Sequence, residues 1–199
     1  MKRNLKTGKV LLGAVVLSMF FAFSSCKDKP EDTKDVAEEV NDINEDKDVI
    51  SDSIEDDSKY MIAAAETDMM EIELGKLALG KTKNAKVKEL ANMMIDQHKK
   101  ASEKLKPLAA SKNVALPAAL TDKGKEHYDD LNKKAGKDFD EAYADMMVKG
   151  HEDAISKMKD ASEDAKDAEV KQWAAAMLPT LNTHLEHSKM LQDQINKSN

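Results

Sequence analysis

Residues 85–110 read AKVKELANMMIDQHKKASEKLKPLAA, and residues 168–196 read AEVKQWAAAMLPTLNTHLEHSKMLQDQIN. In the first, Val87, Ala91, Met94, His98, Ala101, Leu105 and Leu108 recur in alternating steps of four and three. In the second, Val170, Ala174, Met177, Leu181, His184, Ser188, Leu191 and Ile195 keep the same rhythm. That alternation tracks the 3.6-residue turn, so each segment carries one sustained inward stripe, as a helix facing a bundle does. Two further segments are less regular. Residues 59–80 give Ile62, Glu66, Met69, Glu73, Leu77 and Gly80; residues 138–160 give Phe139, Tyr143, Met147, His151, Ala154 and Met158. Ser58, Asn84, Thr121, Asp138 and Asp167 stand where helix N-caps are expected. Gly136 separates a short helix at 122–134 from the one after it, and Pro179 is expected to kink the last helix. The pattern predicts an all-α, up-down-up-down four-helix bundle over residues 58–199, with a short extra helix before the third.

The chain outside that domain reads differently. Lys2, Arg3, Lys6 and Lys9 precede an apolar run from Val10 to Phe23, then Ser24-Ser25-Cys26. Charged start, short apolar run and small residues are the order of a secretory signal. The run is short of the roughly 20 apolar residues that a membrane span needs. Small residues leading into the single cysteine resemble a bacterial lipobox, so residues 1–25 are expected to be a lipoprotein signal and Cys26 a lipidated anchor. Phe23 departs from the usual leucine. The expected location is the cell envelope, lipid-anchored and facing the periplasm or the outside, with the outer membrane favoured.

Residues 27–57 hold fourteen acidic residues and four lysines, a net charge of −10 against −7 for the whole chain, so the acidity of the protein lies in this one segment. A run of like charge without aromatics is expected to remain an extended tether over 26–57. Val36, Val40, Ile43, Ile50 and Ile54 keep a helical spacing and leave an acidic helix as the alternative. The acidity argues against nucleic acid as a partner, because phosphates require a basic face. No catalytic nucleophile signature, phosphate loop or H-E-x-x-H occurs.

Each inner stripe carries a polar residue near its middle: Glu73, His98, His151 and His184. At about 1.5 Å per residue the four lie roughly 15–25 Å from one end of the bundle. Inward side chains from each of four helices are how bundles build metal sites. Three imidazoles and a carboxylate suit one transition-metal ion such as zinc, copper, nickel or iron. The alternative is a set of core histidines satisfied by hydrogen bonds, with Glu73 pairing one of them. His187 is placed on a neighbouring face, as a fourth nitrogen or a supporting partner, and His127 on the exposed side of the short helix. The many methionines fit core filling better than a copper(I) site.

Glu71-Ile-Glu-Leu-Gly-Lys-Leu-Ala78, Met94-Ile-Asp-Gln-His98, Phe139-Asp-Glu-Ala-Tyr143 leading to His151, and Leu178-Pro-Thr-Leu-Asn-Thr-His184 closely resemble the bacterial domain of unknown function 4142 family. The likeness runs over about residues 58–194. It implies a ferritin-like helical bundle, often exported or lipid-anchored, with no established activity. The Glu-x-x-His pairs of ferritin-type di-iron sites are missing, since Ile95, Val148 and Leu181 occupy the positions three before the histidines. Iron storage and ferroxidase chemistry are therefore not expected. The leading functional expectation is a non-enzymatic, membrane-tethered envelope lipoprotein of unknown specific activity, with one transition-metal ion in the bundle core as its candidate ligand. A metal-dependent redox or oxygen-handling enzyme, and a metal-free interaction or envelope-stress protein, are the alternatives.

Overall fold

The computed structural model describes the backbone of residues 33–197 and the side chains of residues 57–197. The signal segment and Cys26 lie outside the described residues. The chain divides into two compact units, 1–40 and 41–199. Within the first, the described part is helical from Thr33; the second holds the bundle.

Five helices and no strand occur among the described residues. They are α1 (Thr33–Lys81), α2 (Ala85–Ser111), α3 (Asp122–Asn132), α4 (Gly136–Asp164) and α5 (Ala168–Lys197). The expected boundaries of the last four helices agree to within a few residues. The first does not: α1 runs straight through Ser58, which is therefore no cap, and the acidic segment is helical from Thr33 rather than extended. Asn84 and Thr121 cap α2 and α3 by accepting hydrogen bonds from Lys86 N and Gly124 N. Asp138 does not cap α4; it sits in the first turn, behind Gly136 at φ +57°. Only glycine adopts that left-handed conformation without strain, so Gly136 turns the chain from α3 into α4. Pro179 lies inside α5, where the helix continues on both sides of it.

The direction of the helices follows from which ends share a core. Leu74 and Ala78 late in α1 pack with Val87 and Leu90 early in α2, Phe139 and Tyr143 early in α4, and Leu191 and Ile195 late in α5. At the other end Met61 and Ala65 meet Leu105, Ala109 and Val170. α1 and α5 therefore run one way and α2 and α4 the other, so the order is up, down, down, up and not the expected up-down-up-down. The 112–135 connection, which holds the extra short helix α3, returns the chain to the end where α2 began.

Two carboxylates secure the second end. Asp57, 3% exposed, accepts hydrogen bonds from Lys166 N (2.8 Å) and Asp167 N (2.7 Å) in the α4–α5 link. Asp167 in turn caps α5 by accepting from Glu169 N (2.8 Å) and Val170 N (3.1 Å), and it pairs with Lys112 at 2.6 Å. Helix-end donors have no intrahelical partner, so a carboxylate there satisfies them and complements the helix dipole. Asp57 thus belongs to the bundle, at the boundary assigned to the tether.

Gly75 marks a close α1–α2 approach. A Cβ there would lie 2.8 Å from Ile95 Cγ1 and 3.1 Å from the Ala91 carbonyl oxygen, whereas at Gly80 it would meet nothing within 4 Å. Alanine is favoured over glycine in a helix by up to about 1 kcal/mol, while overpacking costs about 1–3 kcal/mol. Thermal unfolding should therefore show Gly80→Ala raising the melting temperature and Gly75→Ala lowering it.

Candidate metal centre

His98, His151 and His184 sit near the midpoints of α2, α4 and α5, and each is 2% exposed or less. Their ring centroids are 5.0–5.7 Å apart. The stripe periodicity brings all three to one layer, between the apolar clusters at the two ends of the bundle.

Each ring has one nitrogen committed outward. His98 Nδ1 is 2.8 Å from Asp68 Oδ1, and the other Asp68 oxygen accepts from Ser102 Oγ at 3.1 Å. His151 Nδ1 is 2.7 Å from the Met147 carbonyl oxygen, and His184 Nε2 is 3.0 Å from Gln97 Oε1. A carboxylate, a peptide carbonyl and an amide oxygen only accept, so in each ring the outward nitrogen carries the hydrogen. That leaves His98 Nε2, His151 Nε2 and His184 Nδ1 as the inward-facing nitrogens, each able to offer a lone pair when its ring is neutral. One ligand atom from each histidine lies within 4.8 Å of the others. His151 Nε2 faces His184 Nδ1 at 3.1 Å, and His98 Nε2 is buried with no hydrogen-bond partner.

Two lone pairs at that separation repel unless a proton or a cation stands between them. Turning the Gln97 amide by 180° offers a metal-free solution: its NH₂ would donate to His184 Nε2, and His184 Nδ1–H would then donate to His151 Nε2. Even then His98 Nε2 has no partner. A tetrahedral zinc ion with bonds of about 2.1 Å holds its nitrogens about 3.4 Å apart. The His151–His184 pair is already near that spacing, and the third ring needs to close by at most about 1.4 Å. Hydrogen bonds that fix ring orientation from outside are the usual support of metal-ligating histidines.

The carboxylate of the site differs from the expected one. Glu73 is half-exposed, with 40% of its side chain in solvent, and pairs with Lys76 at 2.6 Å. The inward line of α1 runs instead through Asp57, Met61, Ala65, Asp68, Glu71, Leu74 and Ala78. Glu71, 1% exposed, is the buried carboxylate, and neither of its oxygens has a hydrogen-bond partner. Burial pushes its carboxyl up to about 7, opposed by the neighbouring His98 and reinforced by Asp68. Tyr143 lies close enough that Glu71 helps burial raise its phenol further. Gly150 gives Glu71 room: a Cβ there would stand 3.1 Å from Glu71 Oε1, close enough to push the carboxyl aside by a few tenths of an ångström. Asp68, Glu71 and Gln97 were thus missed as site residues. Their signal was the i, i+3 spacing of Asp68 and Glu71 and the position of Gln97 next to His98.

The other two histidines lie elsewhere. His187 is exposed on α5, and His127 is half-buried in the wall of a cleft of about 300 Å³ between α1, α3 and α4. A cavity of about 30 Å³, lined by His98, Asp68, small residues such as Ala63 and Ala101, and Trp173, adjoins the cluster. It has room for one or two water-sized molecules.

The molecule is thus a helical bundle with a buried tri-histidine cluster, oriented from outside by acceptors on three helices. It belongs to the domain of unknown function 4142 family, whose model matches residues 47–191. No curated protein and no solved structure matches the chain.

Burial pushes His151 down to about 4 and His184 to about 3 from the ordinary 6.5. Both rings are therefore neutral at pH 7 and present lone pairs. For these two the unfolded state takes up protons first, so stability is lost as pH falls below 6.5. Glu71 acts in the opposite sense: the folded state keeps its proton up to about 7 against 4.5 unfolded, so stability is lost as pH rises through that window. Between pH 6.5 and 4.5 the metal-free protein should lose stability with a net uptake of about one proton on unfolding. In Glu71→Gln that uptake should rise to about two, and the variant should gain on the order of 3 kcal/mol at pH 8. Urea denaturation across pH checks both; an unchanged pH slope in the variant contradicts the assignment.

Proposed function

We propose that the protein binds one transition-metal ion, zinc, copper or iron, through His98 Nε2, His151 Nε2 and His184 Nδ1, as a non-enzymatic lipoprotein of the cell envelope tethered through Cys26. The observation that carries the metal reading is the convergence of three buried lone pairs whose opposite nitrogens are already committed outward. Nitrogen donors suit these metals, whereas magnesium and calcium prefer oxygen. Glu71 supplies a nearby negative charge to balance the ion, since it already interacts electrostatically with His98. The tether rests on the sequence alone: a basic start, a short apolar run and small residues before the single cysteine. No helix among the described residues is long and apolar enough to cross a membrane.

A second reading draws on the cavity beside His98. Its largely apolar lining favours a small neutral molecule over an ion, and a catalytic metal needs an open position with access for its substrate. On that reading the centre serves a metal-dependent redox or oxygen-handling reaction.

The decisive measurement is elemental analysis of the full chain, purified without chelator, beside His98→Ala/His184→Ala. Wild type should carry about one equivalent of a single transition metal and the variant none. Added metal should raise the wild-type melting temperature, because an ion bound only by the folded state stabilises it by mass action. No metal in either protein after addition of zinc, copper and iron would leave the metal-free Gln97 arrangement as the resting structure.

A further inference from the structure

Methionine fills the bundle core at Met61, Met94, Met147 and Met158, each 4% exposed or less. Met190 does not fit that role. It is 58% exposed, the one large hydrophobic side chain so placed among the described residues. Gap filling, the ordinary use of a flexible thioether, does not account for a methionine in solvent.

Its neighbours supply an account. Met190, Met93 and His187 line one surface pocket of about 210 Å³ in the α2–α5 seam, over the buried Leu90 and Leu191. His187 and Met190 are three apart on α5, so their side chains share a face. Met93 comes from α2, one turn before Gln97, the residue that orients His184. Lys86, Glu89 and Gln194 complete the polar rim; Lys86 and Glu89 pair at 2.9 Å, so the lysine charge is compensated, and Glu89 also interacts with His187. His187 is close enough to His184 to act on it electrostatically.

We propose that Met93, His187 and Met190 form a second, surface metal site selective for copper(I). Two thioethers and one imidazole are a soft donor set, which copper(I) prefers and which magnesium and calcium, with their preference for oxygen, do not. Thioether sulfurs stay unprotonated at any pH, so two of the three donors remain available on acidification, when the imidazole is lost to protons. The site goes beyond the buried centre and does not depend on it. No change of oxidation state is involved; the ion binds as copper(I).

The test uses the full chain, labelled with [methyl-¹³C]methionine and titrated anaerobically with copper(I) against a chromophoric copper(I) chelator. The methyl signals of Met93 and Met190, assigned by their loss in Met93→Leu and Met190→Leu, should shift while those of Met61 and Met158 stay in place. Leucine keeps the apolar volume and removes the sulfur. The double variant should bind copper(I) at least ten-fold more weakly, and His187→Ala should weaken it as well. Unmoved Met93 and Met190 signals, or equal affinity in the double variant, overturn the proposal. The titration repeated in His98→Ala/His184→Ala separates the two sites. Methionine-dependent binding that persists there supports the surface site whatever the buried cluster holds. If binding instead disappears with the buried histidines, copper(I) sits only at the inner cluster and the surface site is refuted.

Discussion

Three imidazoles in the middle of a helical bundle are the constraint around which the rest of this molecule is arranged. Burying a polar atom without a partner costs about 1–3 kcal/mol, and His98 Nε2 and both Glu71 carboxylate oxygens are in that position. The bundle can carry that cost because it has apolar packing at both ends. Leu74, Val87, Phe139, Tyr143 and Ile195 close one end; Met61, Leu105, Ala109 and Val170 close the other. The outward partners Asp68, Met147 O and Gln97 come from α1, α4 and α2, so the layer also fixes helix rotation. Turning any of those helices by one residue would swing its group about 100° away.

Stripes made of apolar residues and one histidine were legible, and α2 and α5 were read in the correct phase. Their inward lines contain no carboxylate, so hydrophobic periodicity alone identifies the face. In α1 the phase was read wrongly, because the true inward line carries Asp57, Asp68 and Glu71. Charged residues are almost never fully buried unless paired, and so a line with Ile62, Met69 and Leu77 looked more credible. What overrides the pattern is tertiary. Asp57 is satisfied by two backbone donors of the α4–α5 link and Asp68 by His98 and Ser102. These partners are between 30 and 110 residues away in sequence, beyond the reach of any local spacing rule. Glu73, the most credible carboxylate by stripe position, finds its partner one turn away in Lys76 and stays at the surface.

The same reasoning locates the limit of the acidic tether. Like charge with few aromatics predicts an extended chain, but α1 is continuous from Thr33 to Lys81. The Val36, Val40, Ile43, Ile50 and Ile54 spacing was the local sign of that continuity, outweighed in the reading by net charge. The family match begins at residue 47, well inside the acidic run, which agrees with a helix that belongs to the domain before its charge density falls.

Glu71 remains the residue whose cost is least offset by protein partners. Asp68 has two hydrogen bonds, His151 and His184 have outward acceptors, yet Glu71 has none and is shielded from solvent on every side. Protonation is one escape, and burial raises its carboxyl far enough for that. A cation among the three histidines is the other, because an opposite charge nearby favours the ionised form. The two escapes exclude each other: with a metal ion present Glu71 would give up its proton, and with the centre empty it would keep it. Gly150 leaves the carboxyl its place, since a Cβ there would stand 3.1 Å from Oε1. A buried acid that nothing satisfies in the metal-free protein, placed within electrostatic reach of three convergent lone pairs, makes sense as the counter-charge of an ion.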